Sequence, residues 1–122
     1  MAPMPSHPGH SAPETRPAGF CEGEGHVVRY GNPAFRAQFG EGCIGMPVRE
    51  VMLDVPDTAF ALLDRVLHEG RPLARWVERR DEPWRLTATP RCDPETGEVY
   101  GVAFHLRARS DTPVVRERPT AP

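Results

Sequence analysis

The segment GHVVRYGNPAFRAQFG, residues 25–40, decides the fold predicted for this chain, because it passes from a strand pattern directly into a helix-start signal. Its first part, His26–Tyr30, follows the turn-rich Glu22–Gly25, and Phe20 and Cys21 come before that turn. Two short runs around a glycine-containing turn are typical of a β-hairpin. The sequence therefore predicts two antiparallel strands at the start of the domain.

A short helix is predicted immediately afterwards, over Pro33–Phe39. Asn32 offers a side-chain acceptor to the free N–H groups of a first helical turn. Proline suits the first helical position, since its ring fixes a helical φ and its missing N–H is not needed there. Gly40 stands where a left-handed C-terminal cap is favoured.

A longer helix is predicted over residues 57–69, after a short helical turn at Val48–Met52. Pro56 and Asp57 form its start signal and Gly70 its stop signal. Its apolar residues recur at helical spacing and form one stripe that should cover a sheet. They are Ala59, Phe60, Leu63, Val66 and Leu67.

Three strands in an antiparallel meander are predicted for the remainder, at Leu73–Arg79, Trp84–Cys92 and Glu98–Ala108. A five-residue last turn places Leu86 opposite Phe104. One face is then strongly apolar and should be covered by the helices. It consists of Trp84, Leu86, Ala88, Val102, Phe104 and Leu106. The pattern leaves open whether Trp76 or Val77 shares this inner face.

In this order, the predicted elements resemble a PAS sensory domain. The resemblance is carried by residues 25–40, by the link Gly45–Pro47, by Leu62–Leu67 before Gly70, and by the final hairpin from Pro90 to Val102. It implies an α+β fold, with a five-stranded antiparallel sheet, helices packed on one face and a small interior cavity. No kinase, cyclase or helix-turn-helix sequence accompanies it, so output is expected through a separate effector protein or through self-association.

Composition divides the chain into three parts. Residues 1–18 are proline-rich and are predicted to be a disordered arm, residues 19–108 form the PAS-like domain, and residues 109–122 form a flexible tail. A net charge of -2 argues against nucleic-acid binding. No apolar stretch long enough for a membrane helix and no secretory leader is present, which predicts a cytoplasmic protein.

The interior of the resembling fold is the predicted ligand site. Its lining is assigned to Phe35, Phe39, Met52, Phe60, Leu63, Trp84, Leu86 and Phe104. A solid packed core explains the same pattern, because these side chains gain burial free energy whether or not a ligand lies among them. Both interpretations stay open at the level of sequence.

No particular cofactor is predicted. A haem ligand is expected from the long helix of similar sensors, and the candidate His68 points away from the apolar stripe. Cys43 lies in Glu41–Gly45, which lacks the motif of light-sensing flavin adducts, and the three cysteines have no metal-ligand spacing. Neither His26 nor His105 is placed beside a nucleophile, and the chain contains no lysine, so we expect a non-enzymatic domain.

The outer sheet face is predicted to receive a partner or a second copy of the chain. Its small and weakly apolar side chains form a smooth surface. They are Thr87, Thr89, Val99, Gly101, Ala103 and His105. A solvated face, flanked by Arg85 and His105, is the alternative. The predicted function is a non-enzymatic sensory module, expected to be a homodimer, that binds a small ligand, a partner protein or both. The alternative is a pure interaction or dimerisation domain with a packed core and no ligand.

Overall fold

The computed structural model describes residues 16–109. Its elements are β1 (Ala18–Glu22), β2 (Val27–Gly31), α1 (Pro33–Phe39), α2 (Asp57–Glu69), β3 (Leu73–Arg79), β4 (Glu82–Cys92) and β5 (Val99–Ala108). The strands form one antiparallel five-stranded sheet in the order β2-β1-β5-β4-β3, and α2 packs on β3, β4 and β5. The predicted α+β architecture is confirmed.

Asn32 joins α1 to the sheet. Its Oδ1 accepts the N–H of Phe35 at 2.8 Å, which caps the helix as the sequence predicts, and also the N–H of Ala18 at 3.0 Å. Its Nδ2 donates to the carbonyl of Arg16 at 2.9 Å. One side chain therefore satisfies backbone groups of the helix and of the segment entering β1.

Helix α2 covers the inner sheet face with the predicted apolar stripe. Its buried residues are Ala59, Phe60, Leu62, Leu63, Val66 and Leu67. All six predicted inner-face residues of β4 and β5 are buried beneath the helices. The short 3-10 turns at Glu41–Cys43 and Val48–Glu50 add Cys43 and Val48 to the same core.

The β3–β4 hairpin is tighter than the sequence predicts. Its turn is two residues long, Arg80 and Asp81, and both have positive φ angles of 56° and 62°. This conformation matches the twist of the flanking strands. Val77 consequently pairs with Trp84 on the inner face, whereas Trp76 lies on the outer face and is 51% exposed.

The predicted register of the β4–β5 hairpin is wrong by two residues. Leu86 pairs with Leu106 rather than Phe104. The connection is one residue longer than predicted, since Cys92 pairs with Val99, and a bulge leaves Tyr100 without a partner in β4. Because the total shift is even, the faces of the longer part of the hairpin are unchanged.

The ordered domain begins before the predicted boundary at residue 19. β1 starts at Ala18, and the side chain of Pro17 is fully buried. The carbonyl of Pro17 also accepts the N–H of Leu106 at 2.9 Å. The rest of the predicted arm and most of the predicted tail, residues 1–15 and 110–122, lie outside the described residues.

Candidate functional site

The residues predicted to line a ligand site come together between the helices and the sheet. Seven of them are buried in one core cluster, namely Phe35, Met52, Phe60, Leu63, Trp84, Leu86 and Phe104. Phe39, the eighth, is half-buried and packs against that cluster. The rings of Phe35 and Phe39 lie 4.9 Å apart, and those of Phe35 and Phe104 lie 5.7 Å apart. This shared location fits both a packed core and a ligand site.

A buried arginine lies at the edge of this aromatic cluster. Arg79, the last residue of β3, has a side chain that is 0% exposed. Its Cζ lies 4.6 Å from the ring centroids of both Phe39 and Trp84. Trp84 Nε1 donates in turn to the Arg79 carbonyl at 3.1 Å. The guanidinium is thus held among aromatic rings, where cation–π attraction offsets part of its lost hydration.

Asp54, in the loop before α2, balances part of the positive charge of the Arg79 guanidinium. Its Oδ1 accepts from Arg79 Nε at 2.9 Å, and its Oδ2 accepts from Arg80 Nε at 3.0 Å. Burial by itself raises the pKa of Asp54, but the hydrogen bonds and charges of Arg79 and Arg80 outweigh it and hold this pKa below its usual value. Asp54 is therefore an ionised carboxylate that forms ion pairs with two arginines.

The two terminal nitrogens of Arg79, Nη1 and Nη2, are buried and have no hydrogen-bond partner among residues 16–109. A charged donor left unsatisfied in an apolar environment is costly, so native structures rarely contain one without a reason. Arg75 and Arg80, by contrast, are exposed. Arg79 is buried because it lies two residues after Val77 and so shares its inner face.

A second cleft, of about 430 Å³, lies on the surface between the β1–β2 turn and α2. His26 borders it with 7% exposure and a positive φ of 49°, and its Nε2 lies 2.6 Å from Asp64 Oδ1. Its Nδ1 is buried without a partner. Arg49 stacks over Phe60 in the same cleft, 4.6 Å from the ring centroid. The His26–Asp64 contact was not foreseen, because the two residues are 38 positions apart.

Two of the residues predicted for the outer sheet face do not form an open surface. Because of the bulge at Tyr100, the side chain of Val99 lies on the inner rather than the outer face of the sheet, where it packs against the core. Gly101 is buried, and a Cβ built on it would lie 2.6 Å from Cε1 of Phe20. The ring of Phe20 therefore covers this glycine, a contact between strands that the local sequence does not indicate.

The rest of that face is accessible. Thr89 and His105 are exposed, and Thr87 and Ala103 are half-buried. His105 lies opposite Thr87, not opposite Arg85, because of the shifted register. The face carries a cleft of about 270 Å³ that contains Thr89, Ala103 and His105 together with aromatic side chains of β1 and β2. Tyr30 and Tyr100 beside it are 55% and 41% exposed.

His68 points away from the interior, as predicted. Its Nε2 lies 2.9 Å from both carboxylate oxygens of Glu24, and its side chain is 56% exposed. Among residues 16–109 no three His, Cys, Asp or Glu side chains converge as a metal site. Within the same range none of the helices has the length and apolar character that crossing a bilayer requires.

The sequence matches a family model described as a PAS fold over residues 15–112. No curated protein matches it significantly. Solved structures with a similar fold include a sensory box sensor histidine kinase from Vibrio cholerae, at 14% identity and a TM-score of 0.64 over 76% of this chain and 81% of that one. The PAS domain of the histidine kinase ThkA is similar over 75% of this chain and 98% of its own, at 12% identity and a TM-score of 0.63.

A third similar structure is VqmA bound to DPO, at 23% identity and a TM-score of 0.60 over 80% of this chain. This chain spans about half of VqmA, 53% of its length. These identities show a shared fold and no more. The family model covers most of the sequence, from residue 15 to residue 112. The chain belongs to the PAS family.

Proposed function

We propose that this chain is a non-enzymatic sensory PAS domain that binds a small ligand between its helices and its sheet. The observation that carries the proposal is the buried guanidinium of Arg79, which lies among aromatic side chains and whose Nη1 and Nη2 have no acceptor within the described part of the chain. An apolar interior with one polar group that has unused hydrogen-bonding capacity is typical of a ligand site. A core that only fills space would gain more from an apolar side chain at this position.

The similar structures support this proposal without deciding it. VqmA, which shares the fold, is described as bound to DPO, and two other similar structures come from sensor histidine kinases. A ligand that prefers one arrangement of α1 and α2 would shift the population of that arrangement, and a cytoplasmic effector protein would read the change.

Native mass spectrometry of freshly purified full-length protein tests ligand binding, combined with its near-ultraviolet and visible absorption spectrum. We expect a bound small molecule, or a binder found by screening anionic, neutral and cationic fragments by protein-observed NMR. Shifts should concentrate at Phe39, Arg79 and Trp84. If no molecule is retained and no fragment class changes the NMR shifts of interior residues, the protein does not bind a ligand there. The alternative, an interaction domain with a packed core, would then stand.

A second function, association through the outer sheet face, is favoured by its exposed aromatic side chains. Tyr30, Trp76 and Tyr100 are between 41% and 55% exposed, which is unusual for such large apolar groups on a solvated sheet. We propose that this face, including Thr89 and Ala103, binds a second copy of the chain or a separate effector.

Light scattering coupled to size-exclusion chromatography tests self-association, with Ala103→Glu as the disrupting variant. Ala61→Glu is the matched control, because Ala61 is exposed on α2, away from the sheet. A dimer lost only in Ala103→Glu supports the outer face. A wild-type monomer, or a dimer unaffected by Ala103→Glu, argues against self-association there.

A further inference from the structure

We propose that the interior ligand is a small organic carboxylate, anchored by Nη1 and Nη2 of Arg79. The inference rests on the proposed function and goes further, because it names the chemical class of the ligand and the group that recognises it. Three observations carry it: the two nitrogens of Arg79 that have no acceptor among residues 16–109, the sharing of Asp54 between Arg79 and Arg80, and the two aromatic rings that contact the guanidinium.

The donors are suited to a planar anion. A guanidinium carries five N–H groups in a rigid fork, and in Arg79 only Nε has a described acceptor, Asp54 Oδ1. The four N–H groups on Nη1 and Nη2 are unused. Two of them, one on each nitrogen, point in parallel and match the two oxygens of a carboxylate. A carboxylate would satisfy donors on both nitrogens at once.

The charges near Arg79 favour an anion over a neutral acceptor. The two oxygens of Asp54 are divided between two guanidinium groups, so Arg79 does not have this carboxylate to itself. Arg80 and Asp54 are 58% and 36% exposed, and water screens them. Arg79 is 0% exposed, so the attraction between its charge and an added anion is screened much less.

The surroundings of Arg79 suit the organic part of such a ligand. Phe39 and Trp84 contact the guanidinium and present apolar rings beside it. Phe39 is the one residue of the eight predicted interior residues that is half-buried rather than buried. It stands at the end of α1, directly before Gly40, whose φ is 114°. Of the two rings that contact the guanidinium, Phe39 is therefore the more exposed.

The test compares carboxylates with their uncharged amides on full-length protein. Benzoate is paired with benzamide and hexanoate with hexanamide, and binding is followed by NMR at Trp84 Nε1–H and at the arginine Nε–H groups. We expect carboxylates to bind at millimolar concentration or better and the amides to bind at least about tenfold more weakly. Arg79→Lys should weaken carboxylate binding about tenfold, because it keeps the charge but loses the fork.

Arg80→Lys is the matched control, since Arg80 shares Asp54 but is exposed; it should change affinity by less than about twofold. If Arg79→Lys does not fold, the comparison of carboxylates with amides on wild-type protein still tests whether the interior site prefers a carboxylate. Equal binding of acids and amides, or failure of both carboxylates, overturns the inference. A neutral molecule found in the interior by the fragment screen would overturn the inference while the proposed function stands; no binder of any class would overturn both.

Discussion

At the residue scale, the Arg79–Asp54 ion pair links β3 to the loop before α2. Arg79 is fully buried, and its one described side-chain acceptor is Asp54. Removing the acceptor leaves a buried positive charge without a partner, which is more destabilising than losing the pair as a whole. Stability should therefore depend on Asp54 although that residue is itself 36% exposed.

We expect Asp54→Ala to lower the free energy of unfolding by about 2–3 kcal/mol, less than for a fully buried pair because water screens Asp54. Urea denaturation measures the change. Arg80→Gln, which removes the exposed partner of the same carboxylate, should cost no more than about 0.5 kcal/mol. Equal losses in the two variants would contradict a special role for the buried pair.

The pKa values of two histidines should depart in opposite directions from the ordinary histidine value. The hydrogen bond and charge of Glu24 raise the pKa of His68, whereas burial, and then the charges of Arg107 and Arg16, lower the pKa of His105. The stability contributed by protonated His68 is complete below the ordinary histidine pKa of about 6.5, and it is lost as pH rises through the raised pKa.

An NMR titration of the imidazole resonances checks this prediction. Glu24→Gln should bring the pKa of His68 down toward its ordinary value, because the charge and the acceptor for the protonated ring are weakened. The pKa of His105 serves as the internal control and should not move. A pKa of His68 below that of His105 in the wild-type protein would show that the Glu24 contact does not form in solution.

At the scale of elements, Asn32 fixes the position of α1 against β1. Its side chain accepts from Phe35 and Ala18 and donates to Arg16. We expect Asn32→Ala to destabilise the domain by about 2–3 kcal/mol, because a helix cap and two further backbone contacts are lost together. Asn32→Asp keeps both accepting contacts and should cost about half as much. Thermal or urea unfolding of the two variants compares them, and identical losses would contradict the capping argument.

The two hairpins show why element boundaries were only partly predictable. Glu82 and Pro83 resemble loop residues, yet they belong to β4, and the turn is formed by Arg80 and Asp81 at positive φ. Pro83 is tolerated because it precedes Trp84, the first residue of β4 that pairs with β5. Neither turn residue carries the glycine or asparagine signal by which such a turn is usually found.

At the scale of the whole molecule, burial of two cysteines makes thiol chemistry a measure of global unfolding. Cys21 and Cys43 are buried, and Cys92 is exposed. Burial, with a smaller contribution from Cys43, raises the pKa of Cys21 to about 12. A thiol in this state does not form the reactive thiolate at neutral pH.

We expect one thiol per chain to react rapidly with a disulfide reagent such as Ellman's reagent in the native protein. The other two should react only as fast as the domain opens, and all three should react at once in urea. Cys92→Ser is the control and should abolish the fast phase alone. A fast phase that persists in this variant would mean that Cys21 or Cys43 is accessible in the folded state.

The local signals in the sequence determined most of the fold. The cap at Asn32, the apolar stripe of α2 and the alternation in β4 and β5 were each sufficient to place an element, because they reflect short-range backbone and side-chain preferences. The inner face of β4 and β5 was predicted correctly even though the register was not, since an even shift preserves the side to which each residue points.

Tertiary structure decided what the interior contains. By its charge alone Arg79 would be expected at the surface, and only the register of the β3–β4 hairpin places it on the inner face, toward Asp54, Phe39 and Trp84. In the same way, one unpaired residue at Tyr100 moved Val99 from the outer face into the core. Turns and bulges are set by the fit of whole strands against their neighbours, and that long-range fit leaves little trace in the local sequence.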